Sequence, residues 1–202
     1  MRFFKPILCY LLFLSNENVS YGQNDSSHLF KYYDLDACRV TFTFFDGMNQ
    51  GEKTIIFADS GFFEKEIVVA HMVNNSILND STMVQFSREG INALAIKTPQ
   101  NTYLIDLKTR TGTRQDRLSV PFGAELYSSG KKVLGRDTIL GRPCEVVQYE
   151  NAMKIWYWKK IALKKEMVVD GIMIQECAVS IDELYPIKKD EFDVPKDVVW
   201  QN

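Results

Sequence analysis

Apolar and polar residues alternate with a period of two along most of the chain after residue 36. In the segment 40–44, Val40, Phe42 and Phe44 fall on one face of a strand and the two threonines between them fall on the other. The same pattern recurs along the chain and predicts about nine strands joined by short connections. Such a series indicates an antiparallel meander and not alternating βαβ units, and a sheet of that size tends to curl or close.

Turn residues and interruptions divide this pattern. Asp170-Gly171 predicts a tight hairpin between two alternating segments, and Glu89-Gly90 predicts another between 83–88 and 92–97. The segment 108–117 is polar and turn-like. Residues 121–132 break the alternation with glycine, serine and alanine and predict a helix or a long excursion.

The first 22 residues are typical of a secretory signal peptide. Arg2 and Lys5 make the start positive, residues 6–14 are almost wholly apolar, and Ser20-Tyr21-Gly22 places small residues before a cleavage point ahead of Gln23. The apolar run is too short to cross a bilayer, although a buried N-terminal helix is the alternative. We therefore expect an exported chain, soluble after cleavage, in the periplasm or associated with the cell envelope.

The remaining chain divides into a lead-in at 23–36, loosely ordered or a short helix, and a single domain at 37–202. No later stretch approaches 18 uninterrupted apolar residues, so we expect no transmembrane segment in the mature chain. Removal of Arg2, Lys5 and Glu17 leaves 22 basic and 25 acidic residues, a net charge of −3. That balance gives no electrostatic basis for binding nucleic acid.

Residues typical of catalysis are scarce, so we expect no enzyme, no cofactor and no metal site. His28 and His71 are the only histidines, and neither has a Cys, His or carboxylate at metal-ligand spacing. Cys144 has no neighbouring histidine that could serve as its base. An enzyme would require that the fold bring His71 against a carboxylate or Cys144.

Three cysteines follow the signal segment: Cys38, Cys144 and Cys177. An odd number cannot be fully paired within one chain, and export permits a single disulfide. A bridge between Cys144 and Cys177 and a set of three free thiols both remain open, since two predicted strands lie between these two cysteines.

The richest aromatic segment is 153–159. Its alternation places Trp156 and Trp158 on one face and Ile155 and Tyr157 on the other. Both faces therefore need cover, because burial of one large aromatic side chain contributes on the order of 2–3 kcal/mol. Either both faces belong to the core, or one face lines an apolar cavity that accepts a ligand.

Four segments resemble a family of exported proteins of unknown function. Gly135–Cys144 (GRDTILGRPC) is similar to its "G-x-x-x-I-x-G-x-x-C" motif, and Ile155–Lys164 to "W-x-W-x-x-I-P-L-K", with Ala162 in place of the proline. Phe192–Pro195 matches a closing "F-x-x-P", and Met48–Gly61 is similar to a "G-x-x-x-x-Y-F-D-x-Y-G" hairpin. This family is related to the lipoprotein-carrier-like proteins of the LolA, LppX and RseB type.

The resemblance implies a mainly β (α+β) fold: a curved, incompletely closed antiparallel β-barrel with a few helices covering its concave face. It also implies an envelope location and a hydrophobic, acyl-chain or lipoprotein-like ligand on that face. We take Trp156, Trp158, Phe42 and Phe44 as the predicted ligand-binding residues. The alternative is a structural or protein-interaction module of the envelope, whose core is filled by its own side chains and which contacts an envelope protein.

Overall fold

The computed structural model describes residues 31–73, 90–117, 131–149 and 153–201. The predicted signal peptide, the predicted segment 83–88 and residues 121–130 of the predicted segment 121–132 lie outside these ranges. The described chain is mainly β, with twelve strands in one sheet. They are β1 Cys38–Phe45, β2 Asn49–Ala58, β3 Phe63–Met72, β4 Asn92–Lys97, β5 Asn101–Asp106, β6 Thr111–Asp116, β7 Lys132–Ile139, β8 Arg142–Gln148, β9 Lys154–Trp158, β10 Ile161–Val169, β11 Ile172–Asp182 and β12 Val199–Gln201.

The strand order is β12-β6-β5-β4-β3-β2-β1-β11-β10-β9-β8-β7. The sheet is therefore not closed, because β12 and β7 stand at its two edges. Sequence neighbours pair in antiparallel hairpins almost throughout, as expected of a meander, and β1 joins the two halves by pairing with both β2 and β11. The parallel pairing of β12 with β6 departs from the wholly antiparallel prediction.

The predicted hairpin at Asp170-Gly171 is confirmed. Both residues have positive φ, 51° and 79°, as a tight two-residue turn requires, and they join β10 to β11. The second predicted hairpin joins 92–97 to the segment 83–88, which lies outside the described residues; β4 at 92–97 pairs with β3 on one side and β5 on the other.

Helical cover of the concave face is not found among the described residues. They contain one short 3-10 turn, Asp59–Gly61, and no α-helix. Irregular chain packs on the sheet instead: Tyr33 of the lead-in is fully buried, stacks on Phe57 at 4.2 Å between ring centroids, and donates its backbone N–H to Ser60. Its neighbour Tyr32 packs against the same cluster, so two adjacent aromatic rings give this segment enough apolar surface to pack without a helix.

The sheet has apolar residues on both faces. The face that carries Phe42, hereafter the aromatic face, holds the largest buried cluster. The other face, hereafter the outer face, is covered over β3–β5 by the chain after β11: Phe192, Val194 and Val198 pack there with Leu94 and Ile96.

Candidate ligand-binding face

The four predicted ligand-binding residues are all buried, and three of them lie together. Phe42, Trp156 and Trp158 belong to one cluster on the aromatic face, together with Leu163 and Ala178. Phe44 lies in a separate, smaller cluster with Val68 and Ala70. The structure therefore unites β1, β9, β10 and β11 in one apolar surface and places Phe44 beside it.

The two faces of β9 differ as the alternation predicts. Trp156 and Trp158 join the cluster on the aromatic face, whereas Ile155 and Tyr157 pack in a second cluster with Val147. Tyr157 and Tyr149 are joined through their hydroxyl groups at 2.9 Å. Both faces of this strand are thus buried.

Charged side chains surround the two indoles. The Trp156 indole N–H donates to the carboxylate of Asp137 at 2.9 Å, and the Lys164 ammonium lies 4.5 Å from a ring centroid of Trp156. This hydrogen bond is the main reason that the pKa of Asp137 is lowered. The Arg142 guanidinium carbon lies 5.3 Å from a ring centroid of Trp158, and the Lys159 ammonium lies 4.8 Å from one. Cation–π contacts hold these charges against the rings.

A second feature of the aromatic face is a group of buried ionisable residues, hereafter the charged cluster. Its members are Lys53, Glu64, Glu66, Lys97 and Glu176, each at most 8% exposed. They share the face of Phe42, because residues directly opposite in a sheet point to the same side. The register that establishes this places Phe42 opposite Lys53, Ile55 opposite Glu66, Phe57 opposite Glu64, and Glu64 opposite Lys97.

Two ion pairs account for four members of the charged cluster. The Lys53 ammonium donates to Glu176, which Lys165 also approaches at 3.9 Å. Lys97 lies 3.3 Å from Glu64, whose other oxygen accepts the Tyr33 hydroxyl at 2.7 Å. Burial raises the pKa of Glu176, but the ammonium groups of Lys53 and Lys165 outweigh it and hold that pKa below its usual value.

Glu66 differs from the other members of the charged cluster. It is 4% exposed, and none of the described ion pairs includes it, but its oxygens are not among the fully buried side-chain atoms without a partner, which in the described residues are Arg117 Nε and Arg142 Nε. Burial is the main cause that raises its pKa, and the charge of Lys53 opposes this rise without reversing it. Burial therefore favours the uncharged form of this carboxyl group relative to an exposed one.

The charged cluster was missed by the sequence analysis, although the signal was present. Ile55 and Phe57 share one face of β2, and the same alternation extended two residues back reaches Lys53. Likewise Glu64 and Glu66 alternate in step with Val68 and Ala70. Alternation shows which residues share a face. It does not show that charged residues there are buried, because that depends on ion pairs formed across distant strands.

All three described cysteines are free thiols. Cys144 on β8 and Cys177 on β11 are separated by β9 and β10, about 14 Å at the usual strand spacing. This exceeds the reach of a disulfide, so the open alternative of a Cys144–Cys177 bridge is excluded in this sheet. Burial raises the pKa of Cys38 to about 12.

The residues singled out for an enzyme hypothesis are not brought together. His71 is exposed on β3, and Cys144 is buried on β8, six positions away in the sheet. Within the described ranges no group of three or more His, Cys, Asp or Glu side chains could hold a metal ion. The same ranges include no helix with the length and hydropathy needed to cross a membrane.

The fold has a counterpart among solved structures. The chain is similar to a protein of Thermus thermophilus, described as an uncharacterized conserved protein, with a TM-score of 0.53 and 10% sequence identity. The similarity covers 83% of this chain and 93% of the Thermus chain. No protein-family model and no curated protein matches the sequence. At this identity the likeness shows the fold alone.

Proposed function

We propose that the protein is a non-enzymatic, exported binding protein of the cell envelope that holds an apolar, acyl-chain-like ligand against the aromatic face. The observation that carries this proposal is the continuous surface formed by Phe42, Trp156, Trp158 and Leu163 across β1, β11, β10 and β9. Apolar walls with a few polar groups are the usual make-up of a small-molecule site. The resemblance to the lipoprotein-carrier-like proteins supports the same class of ligand.

A second function is favoured by the low exposure of the same residues. Phe42 is 0% exposed, Trp156 7% and Trp158 8%. A face filled by its own side chains would make the chain a structural or protein-interaction module of the envelope. The two functions differ in whether an added apolar chain can reach the indoles.

Fluorescence quenching by a terminally brominated fatty alcohol separates these functions, because bromine quenches tryptophan only at contact. The chain has three tryptophans, and Trp200 packs on Tyr103 with the outer-face residues. In Trp200→Phe, where only Trp156 and Trp158 emit, we expect saturable quenching below the micelle concentration of the alcohol.

The matched control is the double variant Trp156→Phe/Trp158→Phe, in which Trp200 alone emits. We expect little quenching in this variant, because Trp200 lies on β12 at the edge of the sheet. No quenching in Trp200→Phe, or equal quenching in both proteins, would reject the binding function and favour the self-filled core.

A further inference from the structure

The β10–β11 hairpin ends in residues 167–174, hereafter the hairpin tip, which extend beyond the neighbouring strands. The pairing of β11 with β1 stops at Gln175, and the pairing of β10 with β9 stops at Glu166. In the described part of the chain the hairpin tip is therefore paired only within itself, up to Val169 and Ile172. Three residues of each strand extend past the sheet, which is about 10 Å at the usual rise per residue.

The hairpin tip is apolar on both of its faces. Val168 and Met173 are opposite each other on the side of the outer face and are 57% and 48% exposed. Ile172 is 47% exposed and lies on the side of the aromatic face, because it is four positions from Glu176 on the same strand. The other apolar residues of the hairpin tip are half-buried: Met167, Val169 and Ile174. Exposed apolar side chains gathered in this way mark a surface that contacts another molecule.

The β1–β2 turn lies beside the hairpin tip and enlarges its apolar surface. A Cβ at Gly47 would be 3.3 Å from a methyl carbon of Ile172, so the two turns are in close contact. Met48, the next residue, is 61% exposed. Two neighbouring hairpin ends thus present methionine and branched aliphatic side chains at the same end of the sheet.

Exposure on both faces selects the kind of partner. A flat protein surface, including that of a second copy of this chain, covers one face of a strand pair and leaves the other in water. A lipid bilayer surrounds an inserted hairpin and covers both faces. The length of about 10 Å also fits the depth of about 5–10 Å to which peripheral proteins bury apolar side chains at the headgroup boundary. We infer that the hairpin tip docks this protein on the surface of a lipid bilayer.

Acidic residues accompany the lysines at the base of the hairpin tip. Lys164 pairs with Glu166 at 2.6 Å, and Lys154 lies opposite the same glutamate on β9. Lys165 lies 3.9 Å from Glu176. Attraction to anionic headgroups requires a cluster of uncompensated basic residues. We therefore expect apolar burial to provide the affinity, and docking should not require anionic lipid.

Asp170 distinguishes a bilayer from a protein groove. It is the only charged residue within 167–174, and it occupies the turn with a φ of 51°. At the boundary of a bilayer its carboxylate opposes docking, whereas in a protein groove it would pair with a basic residue. Asp170→Asn removes the charge and retains the turn, because Asn-Gly favours the same conformation. A bilayer and a groove thus predict opposite effects of this change.

Flotation of the exported protein with phosphatidylcholine vesicles, with and without phosphatidylglycerol, measures docking. We expect wild type to bind both kinds of vesicle with similar affinity. Val168→Asp should weaken binding by about tenfold or more, because it places a charge at the boundary of the bilayer. Val179→Asp, the same change at a valine of β11 that is 48% exposed but outside the hairpin tip, should bind as wild type does. Asp170→Asn should bind more tightly than wild type.

Vesicle binding needs no ligand on the aromatic face, so it succeeds or fails independently of the fluorescence test of that face. No binding by wild type, binding only with phosphatidylglycerol, or equal losses in Val168→Asp and Val179→Asp would overturn docking by the hairpin tip. Weaker binding by Asp170→Asn would overturn it in favour of a basic protein groove. A dimer that Val168→Asp dissociates, without vesicle binding, would assign the tip to a second copy instead. Asp170→Asn keeps the test decisive if Val168→Asp does not fold.

Discussion

Buried charges and buried aromatic rings occupy the same face of this sheet. The charges are compatible with this apolar surface only where their ion pairs are complete. Lys53 lies opposite Phe42 and 4.9 Å from its ring, yet its ammonium also pairs with Glu176. Loss of one partner of such a buried pair leaves an uncompensated charge, which is worse than loss of both. At the residue scale, Glu66 is the exception, since none of the described ion pairs includes it, although the charges of Lys53, Lys165 and Lys97 act on its carboxylate.

Glu66→Gln should change how stability depends on pH. Because burial raises the pKa of Glu66 above its ordinary value of 4.5, the folded chain holds this proton more tightly than the unfolded chain. As pH rises from 4.5 through the folded-state pKa, the unfolded chain releases the proton first, so the free energy of unfolding of wild type falls. Glu66→Gln lacks this loss. The free energy of unfolding of Glu66→Gln should therefore rise relative to that of wild type across this pH window, by about 1.4 kcal/mol for each unit by which the pKa is raised.

Urea unfolding at a series of pH values measures this difference. Both proteins contain the same ionisable groups around Glu66. These groups lie on β2, β3, β4, β10 and β11 and are Lys53, Glu64, Lys97, Lys165 and Glu176. Glu52→Gln, exposed on β2, should run parallel to wild type. A difference between Glu66→Gln and wild type that stays constant with pH would show that the pKa of Glu66 is not raised in the folded chain.

The thiols should react in the order of their exposure. Cys38 and Cys144 are buried and Cys177 is half-buried, and burial raises the pKa of all three thiols. At about pH 8 in the folded protein we expect iodoacetamide to label Cys177 first and Cys38 last, because the thiolate is the reactive form. In denaturant without reductant all three should label, as read by peptide mass. A pair that labels only after reduction would show a disulfide and contradict the free thiols.

At the scale of elements, the turn after β2 depends on one arginine. Asp59, Ser60 and Gly61 all have positive φ, and the Arg117 guanidinium donates to the carbonyl oxygens of Gly61 and Phe62 at 2.9 and 2.7 Å. It also donates to the Thr98 carbonyl, which ties the β4–β5 turn to this one. A guanidinium has the forked geometry for several acceptors that an ammonium lacks.

Arg117→Ala should therefore destabilise the fold, by about 2–4 kcal/mol for the loss of several charge-assisted hydrogen bonds. Arg114→Ala is the matched control in the preceding strand, since Arg114 makes an exposed hydrogen bond to Asn101. We expect Arg114→Ala to lower the free energy of unfolding by less than about 1 kcal/mol. Thermal unfolding of both variants measures the contrast. Equal losses would show that the carbonyl contacts of Arg117 do not stabilise the turn.

Sequence patterns predicted the elements with strong alternation and missed those without it. Residues 40–44, with Val40, Phe42 and Phe44 on one face, fall within β1, and Asp170-Gly171 forms the expected hairpin turn. β6, by contrast, has the sequence TGTRQD, which is typical of a polar turn because few of its side chains are buried. It is a strand because it pairs with β5 and β12. Pairing of this kind leaves little trace in local composition.

The predicted site followed the same division. The aromatic members of the largest buried cluster could be predicted because size and alternation both mark Trp156 and Trp158. The charged cluster could not, since Lys53 and Glu176 are 123 residues apart and meet only when β1 lies between β2 and β11. Long-range pairing of strands decides which charges are compensated, and no local pattern encodes it.

At the scale of the whole molecule, the described cover of the sheet consists of irregular segments and not of helices. The chain after β11 lies on the outer face: Phe192 packs on Phe63 at 5.7 Å between ring centroids, and Glu191 pairs with Lys65 at 3.0 Å. The Tyr185 hydroxyl donates to the same Glu191 at 3.1 Å. This arrangement covers the outer face over β3–β5, and the proposed ligand is placed on the aromatic face.

Phe192→Ala should weaken this cover. Phe192 is partly buried against the outer-face cluster, so we expect a loss of about 2–3 kcal/mol in the free energy of unfolding, at the lower end for a truncated phenylalanine. Leu184→Ala, in the same segment but 90% exposed, should change it by less than about 0.5 kcal/mol. Similar losses from both changes, measured by urea unfolding, would show that the segment does not pack as described.

Native mass spectrometry of the protein purified from its own host shows whether the aromatic face carries a ligand. We expect a mature chain that begins at Gln23 and carries one bound apolar molecule, which is released on unfolding and recovered in organic solvent. A folded chain whose native mass equals that of the bare polypeptide, with nothing recovered in the solvent extract, would contradict the claim that the aromatic face binds a ligand.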